Sequence, residues 1–205
     1  MAGKERQGRR VQRRGDERRE AIAAAAVEVI ARAGTHAVTH RAVAKQAGVP
    51  LGATTYYFTS KEDLLTAAFR YLAEREIAEI ALGLEQIPQQ MSPQLAAAIT
   101  ASFVASDVRN KRMALLVQME LYLEASRRVE LREVARRLDR VSLDLCEQLV
   151  ERAGSTWPEV DGGLLLSVIT GLELGELANP TDSFERDIAT PLFHRFFERI
   201  CGSAE

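Results

Sequence analysis

The sequence predicts an all-α fold in which a small three-helix domain, containing a helix-turn-helix, precedes a larger helical domain. Nearly every segment places apolar residues at helical spacing, and the alternating β-branched runs typical of strands are absent. The stretch "HRAVAKQAGVPLGATTYYF" at residues 40–58 has the composition of two short helices joined by a glycine turn. We expect nine or ten helices, divided into a basic flexible arm (1–17), the helix-turn-helix domain (18–65) and the larger domain (66–205).

Composition and charge narrow the class of protein. With 46% apolar and 27% charged residues over 205 positions, the chain resembles an ordinary globular protein. No run approaches the roughly 18 consecutive apolar residues of a membrane span, and the start lacks the apolar region of a signal peptide. We therefore expect a cytoplasmic protein without a membrane partner. Cys146 and Cys201 lie far apart, which argues against a disulfide framework or a thiolate metal site.

The N-terminal end is basic although the chain as a whole is not. Residues 1–20 carry eight basic and four acidic side chains, whereas the net charge of the chain is −2. A basic end on an acidic body suggests that this end meets a polyanion. The alternative is a disordered tail that only keeps the protein soluble.

Two helices frame the helix-turn-helix stretch. Apolar residues on one face predict a helix over residues 18–33, and Gly34 ends it. After the stretch, Ser60 is followed three residues later by Asp63, a variant of the capping box. The apolar pattern that starts there predicts a long helix to about residue 84.

Between them, the signals for two short helices are local and specific. Thr39 can cap a helix through Ala47, Gly48 supplies the positive φ of a tight turn, and a second helix begins at Pro50 or Leu51 and ends near residue 58. Small and apolar residues would let the two helices cross closely and would hold the second one rigidly on the core: Val43, Ala44, Ala47 and Val49, backed by Leu64 and Leu65.

The remaining chain continues as helices with clear breaks. Pro88 interrupts the pattern, Ser92 and Pro93 begin the next helix, and Ser183 caps the last one. Further breaks are predicted near residues 107–111, 127–130 and 154–163, and the apolar segment "LLLSVITGLELGEL" forms a helix from residue 164.

A helix-turn-helix of this kind places its second helix in the major groove of DNA. On that arrangement the tyrosine and threonine hydroxyls can meet bases, the Arg41 guanidinium can read guanine, the amides at the start of the first helix can bind a phosphate, and Lys61 can do the same. The candidate DNA-contacting residues are Thr39, His40, Arg41, Leu51, Gly52, Ala53, Thr55, Tyr56, Tyr57 and Lys61. The alternatives are an ordinary helical hairpin in a bundle and, for Tyr57, burial against the fourth helix.

Residues 18–72 resemble the DNA-binding domain of the tetracycline-repressor (TetR) family of bacterial transcriptional regulators. The resemblance follows an order of motifs: "RREAI" opens the first helix, "AVAKQAGV" forms the scaffold helix, "GATTYYF" the recognition helix and "SKEDLL" the start of the fourth. It implies a homodimeric repressor whose larger domain binds a small molecule and forms the dimer interface, with ligand binding releasing a palindromic operator. It also implies DNA contacts at positions such as Arg41, Tyr56 and Lys61.

Three positions depart from the family pattern. The family usually has leucine and tyrosine where this chain has Thr54 and Thr55, and a polar residue at the position of Leu51. We expect Thr54 to turn its methyl inward and leave the core slightly underfilled, and Thr55 to reach less far into the groove.

The larger domain has two helices suited to a dimer interface. Because specific binding by a helix-turn-helix usually requires two copies about 34 Å apart, something must hold a pair together. The apolar faces of the segments 164–177 and 184–200 could form a four-helix interface with their copies; burial against their own chain is the alternative. The candidate interface residues are Leu165, Val168, Ile169, Leu172, Phe184, Ile188, Leu192, Phe193 and Phe196.

A ligand cavity is less directly indicated. Bulky or adaptable apolar residues near the centre of this domain could line one, although plain core is the commoner role of such residues. Glu120 lies among them, and a carboxylate on an apolar face needs a partner such as Arg109, Arg112 or a ligand cation. The candidate ligand-binding residues are Phe103, Met113, Leu116, Val117, Met119, Glu120, Tyr122, Trp157 and Leu166.

The motifs of an enzyme are missing from the sequence. His36, His40 and His194 lack the spacing of metal ligands, and no phosphate-binding loop or nucleophile motif is present, so we expect no metal, cofactor or catalytic residue.

Taken together, the helix-turn-helix, the family resemblance and the larger domain predict a ligand-responsive repressor. One rival is a DNA-binding regulator without a small-molecule inducer, protein-controlled or constitutive, and another is an all-α interaction module or enzyme that does not bind DNA.

Overall fold

The computed structural model describes residues 2–202, with side chains from residue 12 onward. Within those bounds the chain forms nine α-helices and no strand, as the sequence predicts. The helices are α1 (Ala2–Ala33), α2 (His40–Ala47), α3 (Leu51–Tyr57), α4 (Lys61–Gln86), α5 (Pro93–Asn110), α6 (Arg112–Arg127), α7 (Val129–Arg152), α8 (Pro158–Ala178) and α9 (Thr190–Cys201). None of the helices in this part of the chain is long and apolar enough to cross a lipid bilayer.

The first helix is longer than the sequence pattern predicts. Helical backbone begins at Ala2, so residues 2–17, predicted as a flexible arm, continue into α1 without a break. No proline interrupts this segment, and Arg13 Nε lies 3.2 Å from Glu17 Oε1, an ion pair one helical turn apart that supports the helix. The basic side chains before residue 12 lie outside the part of the structure whose side chains are described.

The caps of the helix-turn-helix form as predicted. The Thr39 hydroxyl accepts a hydrogen bond from the Ala42 amide at 3.1 Å, and Gly48 has φ 64°, which places it in the left-handed region. Ser60 accepts from the Asp63 amide at 3.1 Å. The Asp63 carboxylate in turn accepts from the Thr59 amide at 3.0 Å, one residue before the position that a capping box uses.

One apolar core joins the helix-turn-helix to α6 and α7. Its buried residues include Ile22, Ile30, Val43, Phe58 and Phe69 from the first four helices, together with Val117, Leu121, Leu131 and Leu138 from α6 and α7. Because α1 packs directly on α6, the helix-turn-helix and the larger domain share this core.

A second core lies between α5, α7, α8 and α9. It contains Val104, Val150, Leu165, Phe193 and Phe197, all fully buried. Helix α8 begins at Pro158, six residues earlier than predicted, because proline is well suited to the first turn and Glu159 and Asp161 favour a helix N-terminus. A Cβ on Gly162 would come within 2.8 Å of the Glu147 backbone, so α7 and α8 cross closely at this glycine.

Helix α4 belongs to both halves of the molecule. Its first part, from Leu64 to Ala73, packs into the core of the helix-turn-helix, whereas Glu76, Glu79 and Ile80 face the larger domain. The division predicted between residues 65 and 66 therefore falls inside a continuous helix.

We predict that Gly48→Ala lowers the free energy of unfolding by about 1–2 kcal/mol, since the turn requires a positive φ that alanine disfavours while the surrounding space is open. Gly83→Ala is the matched control: that glycine is exposed within α4, and the substitution should raise the free energy by about 0.5–1 kcal/mol. Chemical denaturation measures both. Equal effects of the two substitutions would contradict the assigned role of Gly48.

Candidate nucleic-acid interface and effector cavity

The recognition helix α3 presents an exposed face. Tyr56 is 81% exposed and Leu51 46% exposed, and Gly52 and Thr55 are also exposed, while Ala53 is partly covered. The Tyr56 and Tyr57 rings pack edge to face with centroids 5.0 Å apart, and an exposed tyrosine offers both an apolar ring and a hydroxyl group to a partner. Arg41 is exposed at the start of α2 and forms no hydrogen bond or ion pair within the described residues.

Two of the candidate contacts also contribute to the fold. Tyr57 is partly buried against the N-terminal core, the alternative that the sequence left open, and Lys61 Nζ donates to the His36 carbonyl at 3.1 Å. The Thr55 hydroxyl donates to the Gly52 carbonyl at 3.2 Å, a bond within its own helix. Thr39 and His40 begin α2, where amide groups point outward.

The core beneath α3 accommodates its unusual threonine. Thr54 is fully buried, and its hydroxyl donates to the Leu51 carbonyl at 2.8 Å, so the buried polar group is satisfied. The Nδ1 atom of His40 is buried without a hydrogen-bond partner among the described residues.

The extended α1 passes beside the recognition helix. A Cβ on Gly15 would lie 3.9 Å from the Tyr57 hydroxyl, and the Arg19 guanidinium lies 5.4 Å from the centre of the Phe58 ring. The segment before residue 15 continues α1 past this contact with α3.

The larger domain contains a cavity of about 90 Å³ between α4, α5, α6, α7 and α8. Of the nine predicted ligand-binding residues, Phe103 and Leu166 line it. The other lining side chains are a mixture of apolar and ionisable groups that the sequence reasoning did not single out, among them Glu76, Glu79, Asp107, Lys111, Leu115, Leu138, Cys146, Ile169 and Glu173.

The other predicted ligand-binding residues lie elsewhere. Val117 is buried in the core shared with α1, whereas Met113 and Trp157 are exposed. Tyr122 borders an open groove between α6, α7 and α8 and donates to Asp139 at 2.7 Å, and neither Leu116 nor Met119 reaches the cavity. Two of the nine predicted residues therefore line this cavity and the others do not, because helical spacing does not distinguish the face toward the first domain from the face toward the cavity.

Glu120 has a different position from the one expected. Its Oε1 lies 3.6 Å from the place of a Cβ on Gly34, at the end of α1. The arginines that were expected to pair with it are engaged elsewhere: Arg109 contacts Glu185 at 3.2 Å, and Arg112 donates to the Leu177 carbonyl at 2.8 Å.

Lys111 is the cation of the cavity. Its Nζ lies 2.7 Å from Glu79 Oε2, 3.4 Å from Asp107 Oδ1 and 3.8 Å from Glu76 Oε2. Burial raises the pKa of Asp107 and of Glu76, against the opposing effect of the ammonium group, whereas the hydrogen bond from Lys111 lowers the pKa of Glu79. Burial lowers the pKa of Lys111 itself, but the contacts with these carboxylates raise it on balance.

Glu173 of α8 also lines the cavity. Its side chain is 5% exposed and forms no hydrogen bond or ion pair within residues 12–202. Burial raises its pKa to about 8, and the Asp107 and Glu76 carboxylates act in the same direction. The signal was present in the sequence, since Glu173 lies in the apolar run "LLLSVITGLELGEL", the same kind of context that drew attention to Glu120.

The two predicted interface helices bury part of their apolar surface within the chain. Leu165, Phe184 and Phe193 are covered by the second core, so a partner has nothing of them left to bury, and their assignment to an interface is corrected. The other six candidates are partly buried: Val168, Ile169, Leu172, Ile188, Leu192 and Phe196. Leu164 and Leu174 on α8 are more than half exposed and were missed.

We predict that Glu173 makes the stability of the protein fall as pH rises between about 4.5 and 8. A carboxyl group that stays protonated in the folded state up to pH 8 binds a proton that the unfolded state has lost above its ordinary pKa, so folding is penalised increasingly across this window. The wild type should lose free energy of unfolding between pH 5 and 8, and Glu173→Gln should make this loss smaller by about 1–4 kcal/mol. Denaturation curves at several pH values measure it, with the exposed Glu133→Gln as control. Parallel pH curves for the wild type and Glu173→Gln would refute the assignment.

Comparisons with known proteins agree with this geometry. Residues 22–68 match the family model of bacterial regulatory proteins of the tetR family, and residues 91–199 match that of the tetracyclin repressor-like C-terminal domain. The HTH-type transcriptional regulator BetI of Rhizobium meliloti (strain 1021) is 36% identical over 127 residues, an alignment that covers 59% of this chain and 60% of that protein.

Solved structures share the fold over most of the chain. The multidrug binding protein EbrR complexed with proflavin is 30% identical, with 87% of this chain and 99% of that chain covered and a TM-score of 0.61. Its complex with ethidium has a TM-score of 0.65, again with 30% identity and with 87% and 98% covered. The TetR-family protein SCO1917 from Streptomyces coelicolor A3 is 29% identical, with 88% and 98% covered and a TM-score of 0.67. The C-terminal family model alone spans more than half of the chain, and the chain therefore belongs to the TetR family of transcriptional regulators.

Proposed function

We propose that the protein is a homodimeric repressor that reads a palindromic operator with α2 and α3 and leaves it when a small molecule fills the cavity of the larger domain. The observation that carries this proposal is the exposed face of α3, which projects a tyrosine 81% exposed to solvent from a helix whose other face is locked into a core. We assign no catalytic step to the protein, because binding alone accounts for its action.

The rigidity of the reading unit favours sequence-specific recognition. Thr39 caps α2, Gly48 makes the turn, and buried Val43 and Thr54 hold the two short helices on the core. A recognition helix held in this way loses little conformational entropy on entering the major groove. The Tyr56 ring and hydroxyl and the Arg41 guanidinium are then available for base edges, whereas Lys61 and the amides at the start of α2 suit phosphates.

The exposed side of α8 supports the dimer. Leu164 and Leu174 are exposed there, and Gly171 and Gly175 between and beside them have open space around their Cα atoms. A two-fold copy could approach closely along this side and bury these leucines. Val168, Leu172, Leu192 and Phe196 would complete the apolar surface from the partly buried set.

The cavity and its position support release by a ligand. The similar protein EbrR is complexed with proflavin and with ethidium, so a related fold accommodates small molecules. In this chain the cavity touches α4 and α6, and both helices pack into the core of the helix-turn-helix. A ligand that shifts these helices would change the separation of the two recognition helices, which must match successive grooves about 34 Å apart.

We expect selection from random DNA duplexes to yield a palindrome with half-sites about one turn apart. Arg41→Ala and Tyr56→Ala should each weaken binding to it by about 1–3 kcal/mol and relax the preferred sequence, because base contacts would be lost. Both side chains are exposed, so the melting temperature should not change.

The matched control for this test is Arg136→Ala, which removes an exposed arginine on α7. Selection of single half-sites would argue against the dimer. If both variants kept the affinity and the sequence preference of the wild type, Arg41 and Tyr56 would not contact bases. A dimer that binds its operator but no small molecule would favour a regulator without an inducer.

We expect the basic start of α1 to bind phosphates, because the helix passes beside α3. Deletion of residues 2–11 should weaken binding to any DNA and reduce the slope of log affinity against log salt by about 1–3, while the preferred sequence is kept. Arg186→Gln, at an exposed arginine of the larger domain, is the control and should leave the slope unchanged. If the deletion left the slope of log affinity against log salt unchanged, the basic segment would not contact DNA phosphates.

A further inference from the structure

The cavity holds more acidic groups than its own cation can balance. Four carboxyl groups, from Glu76, Glu79, Asp107 and Glu173, line it together with Lys111. They come from α4, α5 and α8, three helices that are separate in sequence, so the tertiary fold assembles them. Placing several acidic groups around one lysine is unfavourable unless protons or a further cation neutralise them.

Lys111 shows how a cation is held at this place. Its ammonium group lies within 4 Å of three carboxylates and 5.9 Å from the centre of the Phe103 ring. A ring facing carboxylates across a positive charge is the arrangement that proteins use for organic cations. The lysine is covalently tethered, and its side chain is still 30% exposed, so it can leave toward water.

Glu173 provides the second observation. It is 95% buried, it faces the cavity, and no donor of the described residues reaches it. Lys111 satisfies the carboxylates of α4 and α5 and leaves this carboxyl group of α8 without a partner. An occupant with a positive charge deeper in the cavity than the lysine would reach it.

The walls favour an organic cation over a metal ion. In the part of the chain that the structure describes, no group of three or more His, Cys, Asp or Glu side chains is arranged to hold a metal. Apolar side chains complete the lining, among them Leu115, Leu138, Leu166 and Ile169. The free volume of about 90 Å³ is well below the roughly 300–1,000 Å³ of small-molecule sites, so a ligand needs space that a side chain now occupies.

We propose that the cavity binds a monovalent organic cation with an apolar body, and that Lys111 occupies the place of this cation until the ligand displaces it. The proposal rests on the proposed function for its regulatory meaning, because it names the chemical class of the effector and the residue that competes with it. The binding itself is a separate property of the free protein.

The position of Lys111 connects displacement to the DNA-binding unit. The residue joins α5 to α6: its amide donates to the Asp107 carbonyl at 2.8 Å, and its carbonyl accepts from the Leu115 amide at 3.0 Å. Its side chain ties this junction to Glu76 and Glu79 of α4. Since α4 continues from the recognition helix and α6 packs on α1, removing the tie frees the two helices that support the helix-turn-helix.

The test uses two ions of the same shape and opposite charge, tetraphenylphosphonium and tetraphenylborate, titrated calorimetrically into the full-length protein without DNA. We expect the phosphonium to bind at the cavity and the borate not to bind there. Lys111→Met keeps the aliphatic stem and removes the competing charge, so it should tighten phosphonium binding about tenfold. Glu173→Gln keeps the shape and removes the deep carboxylate, so it should weaken binding about tenfold at pH 8.5.

Lys45→Met and Glu133→Gln alter exposed residues outside the cavity and should leave the affinity for phosphonium unchanged. Equal binding of the two ions, or weaker phosphonium binding by Lys111→Met, would overturn the proposal. If Lys111→Met does not fold, Glu173→Gln and the comparison of the two ions still decide the outcome.

Operator release by tetraphenylphosphonium is measured separately. Binding without operator release would support the cation site and refute the ligand-responsive repressor. Release by both ions alike would support the ligand-responsive repressor and refute the cation site.

Discussion

The continuous apolar core between α1, α4 and α6 is the constraint on which the rest of the structure depends. Val117 and Leu121 of α6 are fully buried together with Ile22 and Phe69, so the larger domain is packed directly onto the reading unit. Close-packed interiors transmit displacement instead of absorbing it, because side chains have few voids into which to move. This core therefore joins the helices that line the cavity to those that hold α3.

A cluster of charged side chains lies beside that core, at the cavity. Asp107, Lys111, Glu76 and Glu79 lie where α4, α5 and α6 meet, and their ion pairs replace the apolar contacts that would otherwise close the domain. An apolar filling of the same volume would often be at least as stable as buried charges. The ion pairs at this junction are only partly buried, since Lys111 and Glu79 remain 30% and 40% exposed, and the replaceable cation that we propose would give them a use beyond stability.

Much of the helix-turn-helix could be predicted from the sequence because its determinants are local. Thr39, Gly48 and Ser60 act on backbone groups within four residues of themselves, and the structure shows these caps and this turn as predicted. The early start of α1 and of α8 was missed because glycines at positions 15, 162 and 163 weaken a helical pattern that neighbouring turns and tertiary packing nevertheless maintain. The proposed DNA contacts stay predictions, since exposure shows availability and not use.

The cavity could not be predicted in the same way. Phe103 and Leu166 line it, but Val117, from the same set of bulky apolar residues, lies in the core toward α1. Helical periodicity predicts that a residue faces inward, but it does not predict which of two neighbouring helices that residue contacts. The acidic members come from segments as distant as Glu76 and Glu173, and no short motif joins them.

By itself, the sequence determined the helical class, the capped helix-turn-helix and the membership of a regulator family, because these follow from periodicity, turn chemistry and ordered local motifs. Only the tertiary structure decided which side chains surround the cavity, which of the α8 and α9 residues remain available to a partner, and which carboxylates Lys111 holds. Those outcomes depend on how helices far apart in the chain cross, and the crossing is set by the summed packing of both cores.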